Sequence, residues 1–130
     1  MKVTSRFAGG MRFESDMRGH QVVVDVPKEM GGNDAGPMPP ELLATALGTC
    51  VGIYAVMFCN KHNISPEGMA VETEWEKGAD PVRLTQLYVT IHLPAGVPEE
   101  KHDAFMKTVE QCMIHSTLCQ MPDLSIKLVK

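Results

Sequence analysis

The chain has 130 residues, about one domain's worth, with 12 basic and 16 acidic side chains and a net charge of −4. That weakly acidic balance excludes the basic stripe by which nucleic acid or an anionic membrane surface is bound, and 44% hydrophobic residues excludes a disordered chain. With only 5% aromatic residues but ten methionines, the core is expected to be aliphatic and Met-filled, a packing that tolerates irregular gaps.

In chain order, Val3, Ser5 and Phe7 alternate with polar residues as a short strand, and Gly9-Gly10 breaks it. Met11 to Ser15 returns as a hairpin partner. His20 to Val26, with the run Val22-Val23-Val24, reads as a third strand stopped by Pro27. The segment GGNDAGPMPP at 31–40 is a loop, since its glycines and prolines exclude regular structure. Pro40 and Glu41 suit a first helical turn, and the helix they open is expected to run to about Lys61, apolar nearly all round and buried on several sides. Gly48 and Gly52 on that helix permit close approach of a neighbour.

Met69, Val71, Thr73 and Trp75 alternate with Glu72, Glu74 and Glu76, a half-exposed strand with a solvated acidic face. Leu87, Val89, Ile91 and Leu93 form its partner. Pro98-Glu99-Glu100 opens a second helix whose stripe, Phe105, Met106, Val109, Cys112 and Met113, is expected to continue to just before Met121-Pro122. Leu124, Ile126 and Leu128 alternate as a last strand. The order βββ-α-ββ-α-β is an α+β pattern, read as a single domain over 1–130. One small sheet and one amphipathic helix cannot cover a helix apolar all round. The expectation is therefore an obligate homodimer with long central helices and antiparallel sheets outside.

Leu42 to Cys59 is uncharged over 18 residues, at the threshold of a membrane span. Its internal Thr45, Gly48, Thr49 and Gly52 and the lack of a preceding positive flank favour a buried helix, so no membrane partner is expected. No charged and apolar leader opens the sequence, and a cytoplasmic location is expected.

Four cysteines remain: Cys50, Cys59, Cys112 and Cys119. Their wide spacing does not suit a four-cysteine zinc site, and neither a metal nor a cofactor is expected. Cys50 and Cys112 fall on inward faces of the two helices. Two readings stand: small buried hydrophobes, or a redox pair whose thiolate needs a nearby cation. Cys59, nine residues on, lies about half a turn around the helix from Cys50, faces away and reads as structural, while Cys119 reads as a surface or loop thiol. His115, three residues after Cys112, is expected to hydrogen bond locally.

The stretch GGNDAGPMPPELLATALGTC, the later VEQCMIHSTL and the opening GGMRF together resemble the OsmC/Ohr family, the osmotically inducible and organic hydroperoxide resistance proteins. The resemblance implies an intertwined homodimer with a thiol-dependent peroxidase activity that favours organic hydroperoxides. Cys50 matches the peroxidatic cysteine and Cys112 the resolving one. An opening-strand arginine supports the thiolate, and Arg12 is the best match, with Arg6 and Arg18 as rivals. An acid at the helix start holds that arginine in many members. Here Pro40 stands where the hydroperoxide branch has the acid and Glu41 follows it, which fits the general OsmC-like branch better. The implied reductant is an outside dithiol, of the lipoyl-protein kind. The alternative reading is an OsmC-like dimeric module that holds a hydrophobic or acyl ligand without turnover.

Overall fold

A computed structural model describes residues 1–130. The chain divides into two compact units, Met1–Ala44 and Thr45–Lys130, and the division falls inside the long helix α1, Pro39–Lys61.

In the first unit, β1 (Thr4–Phe7), β2 (Phe13–Met17) and β3 (His20–Val24) form an antiparallel sheet in the order β1-β2-β3. Phe7 pairs with Phe13 and Ser15 with Val22, as the alternation requires. The β1–β2 turn uses Gly9 and Gly10 at φ 100° and 60°, where a Cβ would be strained. The loop after β3 folds back against its own strand. A Cβ on Gly32 would sit 2.0 Å from the Val26 carbonyl oxygen, and one on Gly36 would sit 2.3 Å from that of Val23. Both positions are thereby restricted to glycine.

In the second unit, β4 (Ala70–Ala79) and β5 (Val82–His92) form a long antiparallel hairpin with a bulge at Glu76/Lys77. Val71, Thr73, Leu87, Val89 and Ile91 are half-buried on one face, and Glu72, Glu74 and Glu76 are exposed on the other. The core joins Leu47, Val51, Ala55, Phe58 and Cys59 of α1 to Phe105, Val109 and Cys112. Phe58 and Phe105 meet edge to face with ring centres 5.3 Å apart, a favourable geometry for their quadrupoles. The small residues of α1 face β4: a Cβ on Gly48 would lie 2.7 Å from Thr73 Oγ1. The opposite side of α1 carries exposed Ile53 and Met57. By length and composition α1 is long and apolar enough to cross a membrane, a test that core helices of soluble proteins also pass.

Two expectations are corrected. The second helix is not continuous: after a 3₁₀ turn at Glu99–Lys101, α2 covers His102–Val109 and α3 covers Met113–Cys119. Cys112 lies between them with extended backbone, φ −61° and ψ 145°, and caps α3 by accepting the His115 N–H on its sulfur at 3.3 Å. The break buries Cys112 completely and turns Met113 out, 71% exposed, whereas a continuous helix would put both on one stripe. The last strand is also absent. Residues 121–130 have no regular structure, and Leu124, Ile126 and Leu128 are exposed. Alternation marks a face to bury, but a strand also needs an edge to pair with, and the β4–β5 hairpin does not pair with this segment.

Candidate functional site

The second unit brings Cys50 and Cys112 together. Cys50 lies in α1 beside the buried Leu47 and Val51, one helical turn apart, and is itself half-buried. Cys112 is held at the α2–α3 break with no exposed surface. Burial pushes the Cys112 thiol up from its ordinary value. The His115 N–H on its sulfur opposes this, and the neighbouring Cys50 sulfur raises it further. That last effect requires the two sulfurs to be neighbours, since it falls off steeply with separation. The chain holds all four cysteines as free thiols. The pair is therefore unequal: one sulfur reachable from outside, the other sealed and kept protonated. Cys59 is fully buried, and burial alone raises its thiol. Cys119 is exposed at the end of α3. His115 donates from Nδ1 to the Glu110 carbonyl at 2.7 Å, a local bond across the helix break.

In the first unit the three candidate arginines differ. Arg6 is exposed and pairs with Asp16 at 3.0 Å. Arg18 sits in the β2–β3 turn at φ 51° and is exposed. Arg12 closes the β1–β2 turn, donates from Nη2 to the Ala8 carbonyl at 3.2 Å and lies 3.6 Å from Glu14. Its Nε is buried and has no hydrogen-bond partner. Glu41 does not hold Arg12. Its carboxylate accepts the Met38 N–H at 2.7 Å and caps the start of α1.

Asp25 was not visible as a site residue in the sequence. It is 1% exposed, and its carboxylate accepts the N–H groups of Val26, Asn33 and Ala35 at 2.8, 3.1 and 3.0 Å. The Ala35 bond is the strongest influence holding its carboxyl below the ordinary 3.8, followed by the Val26 bond. Burial opposes them, while the Asn33 bond and the Arg12 charge add to the lowering. Asp25 thereby pins the glycine-rich loop that leads into α1. An acid between a valine-rich strand and a Gly/Pro loop was the available signal.

Solved structures of low sequence identity share this fold. A protein from Psychrobacter arcticus described in terms of osmotic stress induction and detoxification response superposes with a TM-score of 0.81 at 19% identity, over 90% of this chain and 87% of that one. An OsmC-like protein from Mycoplasma pneumoniae gives 0.75 at 20% identity, covering 92% and 87%. An organic hydroperoxide resistance protein OsmC from Legionella pneumophila gives 0.64 at 20%, covering 92% and 90%. No curated protein matches the chain. The family model for OsmC-like protein matches residues 31–127, a span that includes Cys50, Cys112 and the loop pinned by Asp25 but not Arg12. With its mixed α+β fold and three-quarters of its length matched, the chain belongs to the OsmC-like protein family.

Proposed function

We propose that the protein is a thiol peroxidase that reduces organic hydroperoxides through Cys50 and Cys112. The observation that carries this reading is the unequal pair itself. A peroxidatic thiol must be reachable and able to ionise, and a resolving thiol must wait nearby without competing for the oxidant. Half-buried Cys50 and sealed, protonated Cys112 suit these roles in that order. Family relatives described as organic hydroperoxide resistance proteins add weight to peroxide as the substrate.

In the proposed cycle the Cys50 thiolate attacks the terminal oxygen of ROOH. The O–O bond breaks, ROH leaves after taking a proton, and Cys50 becomes a sulfenic acid. The Cys112 sulfur then bonds to the Cys50 sulfur, its proton and the sulfenic hydroxyl leaving as water. A dithiol, of the lipoyl-protein kind, reduces the disulfide by exchange. Arg12 is assigned the supporting cation, because its buried Nε lacks an acceptor in the single chain and a guanidinium stabilises both thiolate and departing alkoxide. Glu41 is assigned to the helix start.

The working form is proposed to be a homodimer. Exposed Ile53 and Met57 on α1, with the unpaired apolar segment Leu124, Ile126 and Leu128, are the surfaces a second copy would cover. Stopped-flow oxidation by cumene hydroperoxide tests the activity. Rapid thiol loss at Cys50 supports it, and binding of an apolar ligand with no thiol loss would favour the non-catalytic module instead.

A further inference from the structure

A thiol outside the Cys50–Cys112 pair carries chemistry of its own. Cys119 lies 3.6 Å from His115 Nε2. The other ring nitrogen, Nδ1, is 2.7 Å from the Glu110 carbonyl oxygen, which can only accept. Nδ1 must therefore carry a hydrogen, and in the neutral ring Nε2 is left as the acceptor facing the Cys119 S–H. This is a nucleophile, a base and a group that orients the base, in sequence.

The dyad opens onto a cavity of about 350 Å³. The sheet face supplies Leu87, Val89 and Ile91 to its wall, α1 supplies Leu47 and Val51, and both Cys119 and His115 line it. Neither Cys50 nor Cys112 does. A volume of that size accommodates a small organic group, and the wall is mostly aliphatic. Glu110 is the one acidic residue on its lining and no Lys or Arg lies there, so the cavity offers an anionic guest no countercharge.

We propose that Cys119 and His115 form a second reactive-thiol site that takes small, neutral, apolar disulfides, separate from the Cys50–Cys112 pair. His115 Nε2 removes the Cys119 proton. The thiolate attacks one sulfur of R–S–S–R, that S–S bond breaks, and a Cys119–S–S–R bond forms. The leaving RS⁻ takes the proton back from the imidazolium, so the step is an exchange with no net oxidation. The R group kept on Cys119 occupies the aliphatic cavity.

The test labels the intact protein with neutral 2,2′-dipyridyl disulfide or with the dianionic disulfide of 5-thio-2-nitrobenzoate. The Cys119 peptide is followed by mass spectrometry, and each rate is divided by that of the same reagent with 2-mercaptoethanol. The neutral reagent should label Cys119 at a normalised rate at least about tenfold above the anionic one. His115→Asn keeps a donor for the Glu110 carbonyl but removes the base, and should slow the neutral reagent at least about tenfold. Val89→Phe, which fills the cavity from the sheet side, should slow the neutral reagent more than the anionic one, with circular dichroism confirming the fold. Equal normalised rates for the two reagents, or a His115→Asn protein labelled at the parent rate, would overturn the proposal. Neither result bears on peroxide reduction at Cys50, so the two readings fail separately.

Discussion

Cys50 and Cys112 differ in what their surroundings permit, and that difference sets the expected behaviour of single variants. Cys50→Ser should abolish peroxide reduction, because the nucleophile is gone. Cys112→Ser should consume about one equivalent of peroxide and then stall at a sulfenic acid that oxidises further, visible as added oxygen by mass spectrometry. The serine oxygen can still accept the His115 N–H and cap α3, so this variant isolates chemistry from folding. Arg12→Ala should slow the peroxide step by roughly tenfold or more if its guanidinium stabilises the developing charge. An unchanged rate would move the role to Arg6 or Arg18. Asp25 makes a different prediction. Its folded carboxyl ionises below the ordinary 3.8, so its contribution to stability is present above that value and is lost as pH falls through the folded one. Asp25→Asn should therefore lower stability at neutral pH and flatten the fall in stability below about pH 4, read by urea titration at several pH values.

At the scale of elements, the contact between α1 and β4 is the most exacting. A methyl at Gly48 would meet Thr73 Oγ1 at 2.7 Å, closer than real packing allows. Gly48→Ala should destabilise by up to about 2 kcal/mol, because overpacking of roughly 1–3 kcal/mol is set against the ~1 kcal/mol gained in helix propensity. A more stable variant in urea would show that Thr73 turns aside freely. The strands and α1 were legible because their patterns are local: period-two alternation for β1, β4 and β5, the Gly9-Gly10 break that returns β2, a β-branched run for β3, and Pro40-Glu41 before an unbroken apolar run. The break before α3 was not legible. Phe105, Val109 and Cys112 keep helical spacing across it, so the sequence pattern runs on where the backbone opens to an extended conformation at Cys112. The Leu124–Leu128 alternation failed for the complementary reason, since a strand also needs an edge to pair with and neither sheet pairs with this segment. The Asp25 pin joins residues 8 and 10 positions apart, beyond any periodic signal.

For the whole molecule, the proposed homodimer would cover the exposed apolar residues Ile53 and Met57 of α1. Sedimentation at low micromolar concentration should give about twice the 14.3 kDa chain mass. Ile53→Asp with Met57→Asp should lower that mass or unfold the protein, because two carboxylates would be buried unpaired in the interface. A folded, stable monomer of the parent chain would contradict the assembly. The central claim, that Cys50 and Cys112 act as one redox unit, meets its most direct test in a single titration. One equivalent of cumene hydroperoxide is added to the reduced protein, the remaining thiols are alkylated, and the digest is mapped by mass spectrometry. The account predicts two thiols lost per chain and one Cys50–Cys112 disulfide, with Cys59 and Cys119 recovered alkylated. A disulfide mapped to Cys119 in place of Cys112, or four alkylated cysteines after peroxide has been consumed, would contradict it.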